Sequence, residues 1–143
     1  MRRVRFKTAR GFRSDGRRLP VVAPADPVLK VKSEHLEQAE FVSWFRKTFP
    51  EVRIFAIPNG ESRSISAASR LKVEGVSAGV PDLFIPEWLL WIEMKRSQGG
   101  RVSREQKSWI DYLNIIGHCA IVCAGCNDAR EKVMKFIEKG QIS

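Results

Sequence analysis

Between residues 79 and 95, in GVPDLFIPEWLLWIEMK, two carboxylates and an ammonium stand among side chains apolar enough for the core of a sheet: Asp82, Glu93 and Lys95. Charged groups are rarely buried unless they are paired or bound to something, so the three need partners or a chemical task. If LLWIEMK is a strand, its side chains alternate, with Trp91, Glu93 and Lys95 on one face and Leu90, Ile92 and Met94 on the other. PDLFIP and WLLWIEMK read as a hairpin. A turn centred between Glu87 and Trp88 sets Asp82 opposite Glu93, with Cβ atoms about 5 Å apart. A turn centred one residue earlier pairs Asp82 with Trp91 and leaves Glu93 on the diagonal, about 7 to 8 Å away. Either register brings the carboxylates together.

Two carboxylates about 4 Å apart repel by about 4 kcal/mol at an effective dielectric near 20, and one ammonium offsets only part of that. A hard divalent cation resolves the conflict. Mg²⁺ takes one or two carboxylates with waters and phosphate oxygens, which suits Asp82, Glu93 and the backbone carbonyl of Met94. Lys95 then stands where it can orient a water or stabilise charge in phosphoryl transfer. The competing reading of the same residues is an ion pair between Glu93 and Lys95 at a strand end, with Asp82 capping a turn after Pro81.

The surrounding elements must position these groups. A helix is expected from the cap Ser33 to Phe49, stopped by Pro50, with Leu36, Phe41, Trp44, Phe45 and Phe49 as its apolar face and Glu37 at the edge of that face. VRIFAI, residues 52–57, reads as a strand closed by the turn signal PNG. A polar helix in SISAASRLKVEG points Ile65, Ala68 and Leu71 inward and ends at Gly75. After the hairpin, residues 103–116 form a helix with Trp109, Ile110, Leu113 and Ile116 on one face, followed by the strand CAIVCA and a helix from about Asn127 to Lys139. The order predicts an α/β fold, a mixed sheet flanked by helices.

The net charge of +9 is unevenly placed. Residues 1–33 hold ten Lys or Arg against Asp15 and Asp26, whereas residues 34–143 hold fifteen against fourteen. The chain therefore divides into a basic arm, 1–33, and a nearly neutral domain, 34–143. The arm mixes Arg with Gly and Pro without any period and fits a polyanion such as nucleic acid. No stretch is long and apolar enough for a membrane span, and the expected setting is intracellular, in the cytoplasm or nucleoid. Cys119, Cys123 and Cys126 read as reduced, buried thiols rather than a zinc site, because their spacing on a strand disperses them. His118 reads as structural.

GVPD at 79–82, IEMK at 92–95 and SREQKSWI at 103–110, together with AIPNG and SRLKVEG, resemble the virus-type replication-repair nuclease (VRR-NUC) branch of the PD-(D/E)XK phosphodiesterases, in a small phage-like stand-alone form. The resemblance spans about residues 34–130. It implies a restriction-endonuclease-like core and a Mg²⁺- or Mn²⁺-dependent deoxyribonuclease, with Asp82, Glu93 and the Met94 carbonyl on the metal and Lys95 catalytic. It also implies an acid on the first helix, where Glu34, Glu37 and Glu40 compete. Glu37 matches the family pattern in EHLEQ, with Glu40 in reserve. Gln106 matches a glutamine that touches the metal site or DNA, although Ser103 and Gln106 also make a capping box. Arg63, Arg70, Lys72, Arg96 and Arg101 are candidate phosphate contacts. Branched or four-way-junction DNA is the expected substrate and a homodimer the expected assembly, since paired cuts on two strands need two sites. A non-catalytic nucleic-acid-binding module is the alternative; intact Asp82, Glu93 and Lys95 argue against it.

Overall fold

A computed structural model describes residues 30–58 and 64–140, so Arg63 and residues 1–29 of the basic arm lie outside the described residues. Helix α1 spans Glu34–Thr48, and Ser33 caps it by accepting from the Leu36 N–H at 3.2 Å. Strand β1 is Phe55–Ala56 and helix α2 is Ile65–Val73, capped by Ser64. Strands β2, Leu83–Ile85, and β3, Leu90–Lys95, form the predicted hairpin around a short 3-10 turn at Pro86–Trp88. Helix α3, Arg104–Ile115, strand β4, Cys119–Ala124, and helix α4, Cys126–Glu138, complete the order.

The sheet runs β1-β2-β3-β4, antiparallel across the first three strands and parallel between β3 and β4. A parallel pair needs a crossover connection, and α3 is that crossover. Alternation along β3 then divides the molecule. Leu90, Ile92 and Met94, with Leu83 and Ile85 of β2, are fully buried in a cluster with Phe41 and Phe45 of α1 and Ala129, Val133 and Phe136 of α4. Rings of Phe41, Trp44, Phe45, Phe49 and Trp88 meet edge-on or tilted within that cluster, centroid distances running from 5.1 to 6.1 Å. The opposite face of β3 carries Trp91, Glu93 and Lys95, and there Glu93 meets Gln106 of α3.

Three local expectations change. β1 is shorter than 52–57, because Val52 and Ile54 turn into the core instead of pairing. Ile65 of α2 is 89% exposed and Ala68 is exposed, leaving Leu71 half-buried: α2 lies at the rim of a cleft rather than over the sheet. Leu36 and Ile116 are also exposed, since the first turn of α1 and the last of α3 run past the core.

One glycine sets how closely two segments approach. Gly79 has φ +87°, and a Cβ there would sit 2.5 Å from the Glu105 backbone carbon and 2.7 Å from the Gln106 nitrogen. The loop before β2 thus packs backbone to backbone against the first turn of α3. Gly79→Ala should cost about 2 kcal/mol or more from left-handed strain and overpacking together. A lower urea midpoint with an unchanged m-value is the expected result.

Candidate active site

The pairing Leu83↔Ile92, Phe84↔Trp91 and Ile85↔Leu90 selects the first of the two hairpin registers, and its continuation sets Asp82 opposite Glu93. Asp82 stands one residue before β2. Its backbone carbonyl accepts from the Ile57 N–H at 2.7 Å, and its Oδ2 accepts from the Met94 N–H at 2.8 Å. A side chain thus replaces a ladder bond where the sheet opens. The carbonyls of Leu89 and Lys95 accept from β4 and the residue following it. By alternation, the Met94 carbonyl points the other way, toward the side of Asp82.

Glu93 is 1% exposed, and its two oxygens have different surroundings. Oε1 takes the Lys95 ammonium at 2.8 Å and the side-chain N–H of Gln106. Oε2 is enclosed and has no hydrogen-bond partner. Lys95 is itself only 8% exposed, and a Cβ on Gly100 would press on its side chain at 2.7 Å, so the segment after β3 closes over it.

Burial dominates the electrostatics. It lifts the Glu93 carboxyl to about 7; Lys95 opposes the rise, while Asp82 and Glu34 add to it. Burial also raises Asp82, against the Met94 N–H and Lys95 and with Glu34. A carboxylate with one enclosed free oxygen and a second acid beside it is suited to a cation. Among the described residues no three His, Cys, Asp or Glu side chains make a ready-formed cage. A cation here would take Asp82, Glu93 Oε2 and the Met94 carbonyl and complete its shell with water or substrate, as Mg²⁺ does.

The helix acids are distributed differently from the sequence reading. Glu37, expected at the site, is buried with Oε2 accepting from the Cys126 N–H at 2.7 Å, where it caps the start of α4. The reserve, Glu40, pairs with Lys32 at 2.7 Å on the surface. Glu34 lines a cleft of about 690 Å³ with Asp82, Gln106, Ser103 and Lys72, and its charge acts on both site carboxyls. An acid next to a helix cap is ordinarily read as a dipole contact, which hides this signal in the sequence. Gln106 serves twice: its Oε1 accepts from the Ser103 N–H at 2.8 Å, closing a capping box, while its Nε2 holds Glu93.

Of the candidate cations within the described residues, only Lys72 lines the cleft. Arg70 lies near Glu74 at 3.8 Å, Arg96 donates to the Gly99 carbonyl at 3.3 Å, and Arg101 is exposed. His118 accepts from the Trp91 indole at 2.9 Å, a structural place as expected. All three cysteines are free thiols, and burial pushes Cys123 up to about 12.

The fold is thus a mixed sheet flanked by helices, with Asp82, Glu93 and Lys95 converging where β2 and β3 part. A family model, the VRR-NUC domain, matches residues 25–127, and the chain belongs to that family. A solved structure titled "VRR_NUC domain protein" is similar, with a TM-score of 0.64 and 26% identity over 78% of this chain and 93% of that one. No curated protein matches.

A raised carboxyl pKa means that the folded state holds its proton to higher pH than the unfolded chain does. The stability contribution of Glu93 is therefore present at low pH and lost as pH rises from about 4.5 through about 7, and the raised Asp82 carboxyl acts in the same direction. Asp82→Asn keeps an oxygen for the Met94 N–H and removes the repulsion. It should raise metal-free stability at pH 8 by about 1 kcal/mol and make the fall with pH shallower, because Glu93 then gives up its proton at lower pH. Thermal melts in EDTA from pH 5 to 8, with wild type falling more steeply than the variant, check this.

Proposed function

We propose that the chain is a divalent-metal-dependent nuclease that hydrolyses phosphodiester bonds in DNA, with branched DNA such as a four-way junction as its preferred substrate. The observation that carries the reading is the enclosed, unpartnered Oε2 of Glu93 beside Asp82. Desolvating a carboxylate oxygen without a partner is costly unless something binds there. Mg²⁺ or Mn²⁺ would supply the charge that the two carboxylates lack and Lewis-acid stabilisation of the phosphoryl group.

The chain's own residues divide the remaining work. Lys95 holds Glu93 in place and presents an ammonium to the charge that develops on the phosphate. Gln106 fixes the Glu93 rotamer from the first turn of α3. Glu34 is the helix acid of the site, and Glu37 anchors the helix that carries it. Lys72 meets the DNA backbone at the cleft, and the basic arm adds phosphate contacts that strengthen binding without reading sequence. Two copies, each with one site, assemble as a homodimer that cuts two strands. The setting is inside the cell; among the described residues no helix is long and apolar enough to cross a membrane.

The test is incubation of the full chain with four-way-junction, flapped, single-stranded and linear duplex DNA, with Mg²⁺ and with EDTA, beside light scattering of the protein. Cleavage that requires Mg²⁺, favours the junction and comes from a dimer is expected. Asp82→Ala, Lys95→Ala and Glu34→Ala should each lower the rate about a hundredfold or more, Glu34→Ala with melting intact and the other two folded but less stable, since one strands the Met94 N–H and the other leaves the buried Glu93 without its counter-ion. Glu37→Ala should instead lower stability by about 1 to 3 kcal/mol, since it strands a buried N–H. Wild-type rates from Asp82→Ala would overturn the site assignment.

The arm makes a separate prediction. Removing residues 1–29 should weaken DNA binding and flatten the dependence of log K on log salt by about 0.9 for each phosphate that the arm neutralises. Titrations at several salt concentrations read the slope, and an unchanged slope would remove the arm from the interface.

A further inference from the structure

The active-site cleft does not end at Gln106. A second hollow, about 340 Å³, is lined by Ala78, Arg104, Glu105, Ser108 and Trp109, and Ala78 and Glu105 line the cleft as well. The two spaces share a wall. That wall is held by the contact of Gly79 with the backbone of Glu105 and Gln106, where no Cβ fits. Trp109 is half-buried and braced by Tyr112, whose ring meets it edge-on with centroids 5.8 Å apart. It lies three residues beyond Gln106 on the same helix, about 4.5 Å along the axis.

We propose that this hollow receives an unpaired nucleobase next to the scissile phosphate, stacked on Trp109, and so selects DNA with unpaired nucleotides. The proposal rests on the nuclease reading and names the feature of the substrate that the site selects: within branched DNA, a base freed from pairing at the branch point. The chemistry of the lining favours a base over a phosphate, because the Glu105 carboxylate on the shared wall repels an anion while the indole offers a planar apolar face. Arg104 and Ser108 add a cationic donor and a hydroxyl for the heteroatoms of a base edge. The volume is at the lower end of ligand-binding hollows, room for a single small planar group. A base within a duplex is stacked on both faces and paired along its edge, so it reaches a concave site only once unpaired.

The experiment measures binding by the full chain in EDTA to three DNAs: a paired duplex, the same duplex with one unpaired nucleotide, and that bulge with its base removed. Wild type should bind the bulge about tenfold more tightly than either control, within the range that stacking of one base on an aromatic side chain supports. Trp109→Ala should erase that preference and Trp109→Phe should restore most of it. The effects of Trp109→Ala and of removing the base should not add, since both delete the same stacking interaction. Equal weakening on all three DNAs, or none, would overturn the proposal. If Trp109→Ala does not fold, wild type on bulged against base-free DNA still decides, and equal affinities overturn it. Preference for the bulge without any Mg²⁺-dependent cleavage would defeat the nuclease reading and leave the base pocket standing. Cleavage without that preference would do the reverse.

Discussion

The desolvated carboxylate of Glu93 is the constraint around which the neighbouring structure is arranged. Placing an acid on the central strand at 1% exposure raises its carboxyl to about 7, and every adjacent element bears on that charge. Lys95 and Gln106 converge on one oxygen and leave the other free. Had both donors spread over the two oxygens, the group would be a satisfied buried ion pair with nothing left to bind. Their convergence is what the proposed metal site requires and a strand-end salt bridge does not. It also explains why Lys95, read from the sequence either as catalytic or as a plain counter-ion, is found 2.8 Å from Glu93: pairing with one oxygen is compatible with ligation by the other.

The same economy appears at the start of α3. A capping box satisfies orphan N–H groups at a helix N-terminus, and here its glutamine also reaches Glu93. Folding the helix therefore orients the acid. The close packing of Gly79 against that turn ties the loop carrying Asp82 to the helix carrying Gln106, so the two sides of the cleft are fixed by backbone contact rather than by long side chains. Rigid support of this kind is what holds a catalytic arrangement to sub-ångström tolerance.

Much of this was legible in the sequence, for physical reasons. Alternation in LLWIEMK defined the face shared by Glu93 and Lys95, and the length of the PEWL connection restricted the hairpin to two registers. The choice between registers was not legible, because Leu89 takes up a left-handed conformation, φ 47°, that Leu seldom adopts. The apolar residues of α2 misled, since Ile65, Ala68 and Leu71 have helical spacing whether they face a core or the rim of a cleft. The helix acid was the main ambiguity. Glu34, Glu37 and Glu40 recur every three residues, so periodicity assigns them neighbouring faces and cannot tell which meets the sheet, which meets another helix and which meets solvent.

The resolution of that ambiguity links α1 to the site by an indirect route. Gly125, at φ +91°, donates its N–H to the Lys95 carbonyl at the end of β3, and the next N–H, that of Cys126, goes to Glu37. A Cβ at Gly125 would lie 3.3 Å from the Glu37 carboxylate, so the glycine lets the acid settle onto the start of α4, where the helix dipole favours a negative charge. These two bonds fasten α1 to the end of the strand that bears Glu93 and Lys95. Glu34 lies one turn earlier on the same helix, and its distance from Asp82 and Glu93 is set by that fastening. An acid buried for structure thus places a second acid at the cleft, and the two carboxylates that sequence pattern treats as rivals act on the same site at different removes.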